Sequence, residues 1–463
     1  MPVYPGILTL IISSIKPMHV AIIGAGISGL AAAYRLHAAG HAVQVFEADA
    51  QPGGVIRTVE QNGFLIEEGP NSINGANPTL TRVMQTVNLL DQKVEANPDA
   101  RNRFVVRDGG PVPIPRSPAQ ALRTPLLSTR AKLRLLTEPL RPRGPSNESL
   151  SDFVQRRLGT EVLDYAVNPF VAGVYGGRPD QLAVQHAFPM LKTLEKKHGS
   201  LLIGGLRNAL GPSNPSDAPT VDGLFSFRNG LATLPKAIAA SFRERISLSC
   251  PVHACVPTQS GWRVEHEQGT SQADAVVFAA PLHQLGTDIV LDTPLGIAPL
   301  QHLPYAPMRS VSLGVPRDAI THPLDGFGML VPAKESDFRI LGTIFASTLF
   351  PGRAPDGHVL LTTFVGGARA PHLVEQPRDE VEHLVRNDLR TLLGLQGDPV
   401  MVHHVVWPRA IPQYTAQHGR VQGRLDALEA AHPGLYFAGN YRSGISVKDA
   451  FASGWHTAGA LMA

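Results

Sequence analysis

Short apolar runs alternate with polar and glycine-rich segments near the start of the chain. Residues 20–23 are consecutive apolar residues, and they lead into a glycine-rich turn and then a small-residue stretch with helical spacing. Residues 43–46, VQVF, form a further mainly apolar segment that alternates and ends at Glu47. This order predicts a strand, a tight turn, a helix and a second strand.

The turn after the first strand has the spacing of a nucleotide site. Gly24 and Gly26 permit a tight turn and close backbone approach to a pyrophosphate at the helix N-terminus. Glu47 lies 18 residues after Gly29, where an acid accepts hydrogen bonds from a ribose. An ordinary glycine turn is the alternative interpretation. The candidate ligands in this segment are Gly24, Gly26, Ile27, Ser28, Gly29, Glu47 and Ala48.

A comparable turn is predicted near the end of the chain. Residues 434–440 read as a strand that ends in a glycine turn, and a small-residue helix follows from about Val447. One such turn indicates a dinucleotide, whereas two turns separated by most of the chain indicate FAD held in a discontinuous domain. The candidate ligands here are Gly439, Asn440 and Val447.

Length and composition limit the classes of protein to which the chain can belong. A chain of 463 residues is expected to form two or three compact units. No run approaches the roughly 18 apolar residues of a membrane-spanning helix. Met18 directly precedes the first strand, so residues 1–17 are interpreted as an extension or an upstream start. Cys250 and Cys255 lack zinc-site spacing, which predicts a reducing compartment and no metal.

The middle of the chain is basic. Residues 98–208 contain 17 Lys and Arg against 9 Asp and Glu, a net charge of +8. This segment is predicted to be helical, with Ser149 as the cap of one helix. Leu122, Leu126 and Leu127 are expected to be exposed. The segment is therefore either a surface for an anionic membrane or an ordinary solvated face.

Several longer stretches resemble a single enzyme family. They are NRFVV at 102–106, PFVAGVYGG at 169–177, GFGMLVP at 326–332, LGTIF at 341–345, TTFVGG at 362–367 and AIPQY at 410–414. From residue 20 to nearly the C-terminus, the chain resembles the oxygen-dependent protoporphyrinogen oxidases. These are FAD enzymes of the amine-oxidase and GDP-dissociation-inhibitor superfamily.

The resemblance, together with the two turns, predicts an α/β fold in three parts. A discontinuous Rossmann-like FAD-binding domain comprises residues 18–82, 226–281 and 408–463. An α+β substrate domain with an antiparallel sheet comprises residues 83–97, 209–225 and 282–407, where apolar runs predict strands. A mainly helical, membrane-associating domain comprises residues 98–208.

The resemblance also assigns roles to residues outside the two turns. It implies that a further set of residues lies near the pyrophosphate, the flavin and the adenine of FAD. These residues are Gly53, Gly54, Arg57, Gly69, Pro70, Asn71, Ser72, Val252 and Trp407. A glycine-rich hairpin is the alternative for residues 53–72. The resemblance implies that Arg103 pairs with a substrate propionate, because guanidinium binds carboxylate bidentately.

The remaining implied substrate residues surround the tetrapyrrole. Gly173 would face the macrocycle through its carbonyl group. Leu330, Ile344 and Phe364 would sandwich one pyrrole ring, with Ile344 standing where the family usually has leucine. Ordinary core positions for these three residues, and a surface position for Arg103, are the alternatives. No catalytic side-chain base and no metal ligand are predicted.

The implied reaction is the six-electron oxidation of protoporphyrinogen IX to protoporphyrin IX, with three dioxygen molecules reduced to hydrogen peroxide. The cofactor would be non-covalent FAD, since no cysteine lies near the C-terminal turn. We expect a cytoplasmic protein at the inner face of the membrane. We also expect a homodimer that transfers its product to a ferrochelatase, and no binding of nucleic acid. Coproporphyrinogen III oxidation, another amine-oxidase-type or desaturase activity, and a non-catalytic prenyl-protein carrier are the alternatives.

Overall fold

The computed structural model describes residues 17–210, 221–293 and 296–463. The extension predicted at residues 1–17 therefore lies outside the described residues, apart from Pro17.

The strands of these described residues form five sheets. In chain order they are β1 His19–Ile23, β2 Ala42–Phe46, β3 Thr58–Gln61, β4 Phe64–Glu67, β5 Ile73–Ala76, β6 Lys93–Glu95, β7 Asn102–Arg107, β8 Gly110–Pro113, β9 Val221–Phe227, β10 Ile246–Ser247, β11 Val252–Thr258, β12 Gly261–His266, β13 Gly269–Ala273, β14 Ala275–Phe278, β15 Val290–Leu291, β16 Tyr305–Pro316, β17 Gly326–Leu330, β18 Ile340–Phe345, β19 His358–Gly366, β20 Met401–Pro412 and β21 Leu435–Phe437.

The helices lie between and around these sheets. In chain order they are α1 Ile27–Ala38, α2 Pro78–Thr86, α3 Pro118–Arg123, α4 Thr129–Leu136, α5 Leu150–Arg157, α6 Thr160–Val162, α7 Asn168–Tyr175, α8 Val184–Ala187, α9 Pro189–His198, α10 Leu201–Leu210, α11 Thr233–Ala240, α12 Ala298–Gln301, α13 Ala346–Leu349, α14 Arg378–Leu393, α15 His418–Ala431 and α16 Val447–Leu461.

A parallel sheet joins the two ends of the chain. Its order is β10-β2-β1-β14-β21, and each neighbouring pair is parallel. Such strands are buried on both faces, which explains the continuous apolar runs in the sequence. Helices α1 and α16 pack together on one face, so closely that a Cβ at Gly454 would lie 1.8 Å from the Ser28 carbonyl oxygen. The predicted α/β class with a discontinuous parallel domain is confirmed.

The larger sheet has seven strands in the order β20-β16-β19-β18-β17-β7-β8. Its pairs are antiparallel apart from β17 with β7. One face packs against α14, where Leu313 and Leu361 of the sheet share a buried cluster with Val385 and Leu389 of the helix. The opposite face packs in part against β4, where Phe64 and Ile66 share a buried cluster with Leu360 of the sheet.

The helical interpretation of residues 98–208 is wrong for its first part. Residues 102–113 form β7 and β8, which extend the seven-stranded sheet. Phe104 and Val106 are buried on the face that packs against α14. Burial of every second residue on this face is typical of a strand. Hydrogen bonding to β17 stabilises the strand over the predicted helix.

The remainder of the basic segment is mainly helical. Ser149 caps α5 as predicted, because its hydroxyl accepts from the Asp152 amide at 3.0 Å. Leu122 is exposed, but the expected exposure of Leu126 is wrong, since Leu126 is only 5% exposed and packs with Val105 and Tyr165. Leu127 is only partly buried and packs against a neighbouring cluster.

Buried ion pairs stabilise this helical region. Arg157 is fully buried, with Nη1 3.0 Å from Glu138 Oε1 and Nε 2.9 Å from Glu195 Oε1. Burial raises the pKa of Glu195, but donors from Lys192, Arg156 and Arg157 outweigh burial and lower the pKa to about 2. These pairs join α5 to α9 and to the turn that follows α4.

Candidate functional site

The glycine turn after β1 leaves open space at the start of α1. Gly24 has φ +100°, and a Cβ at Gly29 would lie 2.0 Å from the Gly24 carbonyl oxygen. Gly26 is the N-cap of α1, and a Cβ there would meet nothing within 4 Å. Gly24 and Gly29 thus allow the local packing, whereas Gly26 borders free space that suits a phosphate at a helix N-terminus.

Glu47 follows β2 and its carboxylate lies against this turn. Its Oε2 accepts from the Ala25 amide at 2.6 Å, and its Oε1 accepts from the Asp49 amide at 2.9 Å. Burial raises the pKa of Glu47, while these two amides act in the opposite direction. Each oxygen keeps a second lone pair, so Glu47 can still accept from ribose hydroxyls. Ala48, the next residue, is exposed beside it.

The second glycine pair lies against the first turn. The Gly53 amide donates to the Ala25 carbonyl at 2.9 Å, and a Cβ at Gly54 would lie 3.4 Å from Gly26 Cα. Arg57 donates from Nε to the Gly54 carbonyl at 2.9 Å and also pairs with Asp49. The loop therefore places one guanidinium close to the open start of α1.

The loop at residues 69–72 joins β4 to β5 and lies against the second glycine loop. A Cβ at Gly69 would lie 1.9 Å from the Val55 carbonyl oxygen. Asn71 donates to the Gly69 carbonyl at 3.2 Å, with Pro70 between them and Ser72 following. Trp407 of β20 donates to the Glu68 carbonyl at 2.9 Å, and its ring lies 5.5 Å from the Arg57 guanidinium carbon. Residues 68–72 therefore lie against both the 53–57 loop and β20 of the seven-stranded sheet.

The C-terminal turn lies near the first turn because β14 alone separates β21 from β1. The Gly439 amide donates to Ser453 Oγ at 3.0 Å, and Ser28 Oγ donates to the Ala450 carbonyl at 2.7 Å. Asn440 follows the turn, and Val447 is the first residue of α16. The two predicted turns and the two helices that follow them therefore meet.

Val252 is less directly connected to the two turns. It starts β11 in a separate four-stranded sheet. The amides of Ser249 and Cys250 donate to the carbonyls of Asp49 and Glu47 at 2.9 and 2.8 Å. The chain that leads to Val252 consequently runs beside the predicted ribose acceptor. Taken together, the nucleotide candidates lie on segments that contact one another around the two glycine turns.

The predicted substrate residues lie on the face of the seven-stranded sheet that points away from α14. Leu330 pairs with Val105 on one side and Gly342 on the other, and Gly342 pairs with Phe364. Ile344 lies two residues after Gly342, and Arg103 lies two residues before Val105. Because side chains alternate along a strand, Arg103, Leu330, Ile344 and Phe364 share this face.

Short contacts connect these residues to α7. A Cβ at Gly173 would lie 2.5 Å from Leu330 Cδ2, which is closer than packing allows. Gly173 is itself exposed. Ile344 and Phe327 pack against the same buried cluster, and the Arg103 guanidinium carbon lies 5.5 Å from the Phe327 ring. The structure therefore brings the five predicted substrate residues into one region.

Two charged residues in this region had no role in the sequence predictions. Glu67 and Arg353 form a buried ion pair, with Arg353 Nη2 3.2 Å from Glu67 Oε1. Both border a small cavity, together with Asn71 and Ile344. No local pattern marks Arg353, because it lies in a loop and only the fold brings it to Glu67.

The chain matches the family described as flavin-containing amine oxidoreductase over residues 27–462. It therefore belongs to this family and is a flavin oxidoreductase. The resemblance to protoporphyrinogen oxidases is also confirmed, since the chain is 37% identical to the mitochondrial protoporphyrinogen oxidase of Nicotiana tabacum, over 95% of this chain and 94% of that protein. It is 28% identical to the coproporphyrinogen III oxidase of Bacillus subtilis, over 94% of this chain and 96% of that protein.

Solved structures share the fold. One from Exiguobacterium sp. 255-15 aligns with a TM-score of 0.82 at 24% identity, covering 97% of this chain and 99% of that chain. A reduced UDP-galactopyranose mutase aligns with a TM-score of 0.73 at 17% identity, covering 95% and 94%. Within the described residues, no helix is long and apolar enough to span a membrane.

Proposed function

We propose that the enzyme oxidises protoporphyrinogen IX to protoporphyrin IX, removing six electrons in three rounds. The cofactor is non-covalent FAD, and dioxygen is reduced to hydrogen peroxide. The observation that carries this proposal is the common sheet face of Arg103, Leu330, Ile344 and Phe364, opposite the packing face. Further support comes from relatives named protoporphyrinogen oxidase that are 33–37% identical over most of the chain.

The side chains would bind and orient the substrate. Arg103 is exposed at the edge of this region and would hold one propionate through paired donors. Leu330, Ile344 and Phe364 are partly buried and would exclude water from the macrocycle. A side chain at Gly173 would collide with Leu330. When bound, FAD supplies the hydride acceptor.

FAD would be held by the residues around the two glycine turns. Glu47 would accept from the ribose, and the start of α1 at Gly26 would receive the pyrophosphate. Gly53, Gly54 and Arg57 would line the phosphates, and the 69–72 loop with Trp407 would face the flavin. Cys250 and Cys255 are both buried, which supports non-covalent attachment.

The number of carboxylates distinguishes the two porphyrinogens. Protoporphyrinogen has two propionates and coproporphyrinogen has four, so an apolar region with one arginine should disfavour the latter through the cost of burying extra carboxylates. Coproporphyrinogen III stays the second candidate substrate, because the Bacillus subtilis relative is named coproporphyrinogen III oxidase.

The deciding measurement is kcat/KM for both substrates. We expect the wild type to prefer protoporphyrinogen. Arg103→Ala should raise KM about tenfold to a hundredfold, corresponding to 1.5–3 kcal/mol for a charge-assisted hydrogen bond, and Arg103→Lys should rescue it partly. Arg390→Ala, on α14 behind the sheet, is the control. Preference for coproporphyrinogen would instead assign the enzyme to the second reaction.

We also propose that the basic segment binds an anionic membrane surface. Support comes from the exposed large hydrophobic residues of the described chain, since eleven of fifteen lie between residues 98 and 208. We define the apolar patch by the exposed large apolar residues of α4, the following turn and α10, elements that contact one another: Leu133, Leu136, Leu140, Leu202, Ile203 and Leu206. The homodimer and transfer to a ferrochelatase stay predictions.

A further inference from the structure

A buried ion pair lies where the cofactor loop meets the substrate strands. Glu67 ends β4 and Arg353 precedes β19, and they are 5% and 2% exposed. The cavity beside them is also lined by Asn71 from the 69–72 loop and by Ile344 and Thr362 from the substrate sheet. The pair therefore shares a cavity with a residue predicted to face the flavin, Asn71, and with a residue predicted to contact the substrate, Ile344.

The donors of Arg353 are only partly used. Nη2 donates to Ser226 Oγ at 2.6 Å and lies 3.2 Å from Glu67 Oε1. Nη1 is equally buried but has no acceptor among the described residues. A buried charged donor without an acceptor is costly, so an acceptor supplied from outside the protein is expected at this nitrogen.

Glu67 also has unused capacity. Its Oε2 accepts from Thr58 Oγ1 at 2.6 Å, and its Oε1 accepts from the Leu231 amide at 2.9 Å and faces Arg353. An ionised carboxylate offers about four acceptor positions. One position therefore remains on Glu67.

The size of the cavity identifies the ligand class. Its volume is about 10 Å³, which is close to the space one water molecule requires and too small for a carboxylate group. A water molecule can accept from Arg353 Nη1 and donate to Glu67, which no apolar group of that size can do.

We propose that Glu67 and Arg353 hold a water that accepts the proton leaving a substrate nitrogen, with Glu67 as the final acceptor. This inference rests on the proposed function. In each round a ring carbon loses a hydride, and a pyrrole N–H bond breaks with its electron pair staying on nitrogen. Because protoporphyrin IX keeps two N–H groups, a proton also moves once from the fourth bridging carbon to a ring nitrogen, and the C–H electron pair becomes part of the conjugated ring. In each round the proton released from nitrogen bonds to the water oxygen, and the water passes one of its protons to Glu67, which becomes neutral. Glu67 then loses this proton to solvent before the next round.

The environment of Glu67 suits this role. Burial raises its pKa, with Arg353, Thr58 and the Leu231 amide acting in the opposite direction. Arg353, 3.2 Å from Glu67 Oε1, is the charged group that lowers it. A carboxylate is a stronger base when its pKa is raised above the ordinary value. Arg353 donates to the water and acts as a positioning residue.

The test uses anaerobic reduction of the bound flavin by protoporphyrinogen, followed by absorbance across a pH series in H₂O and D₂O. Glu67→Gln should slow reduction about a hundredfold. It should also remove the fall in rate at low pH and reduce the solvent isotope effect. Glu67→Gln leaves the buried Arg353 guanidinium without its partner. The double variant Glu67→Gln with Arg353→Met removes both charges, so it tests the role of Glu67 without an unpaired charge at this site.

Asp388→Asn is the matched control. Asp388 is a buried carboxyl whose pKa is also raised by burial, but it accepts from the Arg339 and Ile340 amides and does not border the cavity. This variant should keep the wild-type pH profile and isotope effect. Melting temperature and FAD content are measured for every variant.

The possible outcomes separate this inference from the proposed function. If the double variant binds FAD, melts normally and keeps the wild-type rate and pH profile, the relay is overturned. If wild-type enzyme with full FAD is reduced by neither porphyrinogen, the proposed function fails and the relay fails with it. A slowed rate with an unchanged pH profile and isotope effect would reduce Glu67 to a structural role and would also overturn the relay.

Discussion

Two glycines three residues apart serve different purposes at the residue scale. A Cβ at Gly29 would clash with the Gly24 carbonyl oxygen at 2.0 Å, whereas a Cβ at Gly26 would meet no protein atom within 4 Å. Gly26 also has φ −66°, so its backbone conformation suits any residue. Any requirement for glycine at 26 must therefore come from a ligand.

We expect Gly26→Val to give folded protein depleted of flavin, because the side chain would occupy the pyrophosphate position. Gly29→Val should instead lower the melting temperature, since its side chain would push α1 from the turn. Flavin absorbance relative to protein, with thermal melting of both variants, checks this. Full flavin occupancy in Gly26→Val would contradict the assignment.

The same scale shows what the sequence could and could not reveal. The glycines and Glu47 follow a local spacing that one strand, one turn and one helix impose, so they were predictable from the sequence. Arg353 contacts Glu67 across 286 positions of the chain, and no local pattern connects them. The partners of the Arg353 nitrogens, and the lack of one for Nη1 among the described residues, can be identified only from the folded structure.

At the scale of the element, β19 carries a functional face and a packing face. Phe364 is partly buried on the substrate side, while Leu361 is fully buried against α14. We expect Phe364→Ala to lose catalytic efficiency with little loss of stability. Leu361→Ala should cost about 2–5 kcal/mol of stability and keep normal turnover per folded molecule.

Thermal melting and kcat/KM of both variants separate the two faces. A large loss of melting temperature in Phe364→Ala, with normal turnover per folded molecule, would make Phe364 an ordinary core residue. The pattern of apolar residues alone could not distinguish these two positions, because both are large apolar residues in one strand. The sheet register and the position of α14 make the difference.

The helical region has its own pH dependence. Glu195 has a folded pKa of about 2, below its ordinary value of 4.5. Its stabilisation is therefore complete above pH 4.5 and is lost as the pH falls towards 2. Glu195→Gln should destabilise the protein by about 3–5 kcal/mol at neutral pH, because it leaves buried Arg157 without one partner.

The free energy of unfolding of wild type and variant, measured at several pH values, checks this. Their difference should shrink as the pH falls from 4.5 towards 2. Asp180→Asn is the control, since Asp180 forms an exposed pair with Arg178 and exposed pairs contribute little. A difference that stays constant with pH would show that Glu195 keeps an ordinary pKa in the folded protein.

At the scale of the whole molecule, the seven-stranded sheet links the units predicted from the sequence. The segment expected to be mainly helical contributes β7 and with it Arg103. Its net charge of +8 and its predicted helices suggested a separate basic domain. Long-range pairing of β7 with β17 instead attaches its first part to the substrate sheet, and the domain boundaries stay a prediction.

Charge and exposed apolar surface coincide in the rest of that segment. Leu136 and Leu140 are 73% and 84% exposed, and the segment carries a net charge of +8. Each Lys or Arg close to an anionic surface contributes about 1 kcal/mol, while the leucines would enter the acyl boundary. A few such contacts are enough for reversible binding.

We therefore expect co-sedimentation with phosphatidylserine vesicles at low salt and release at about 1 M salt, where the Debye length falls to about 3 Å. Leu136→Glu with Leu140→Glu should abolish binding while flavin content and turnover of dispersed substrate stay unchanged. Val400→Glu, at an exposed apolar residue outside the segment, should bind like the wild type. Equal recovery with neutral and anionic vesicles, or unchanged binding by the double variant, would show that this surface is an ordinary solvated face.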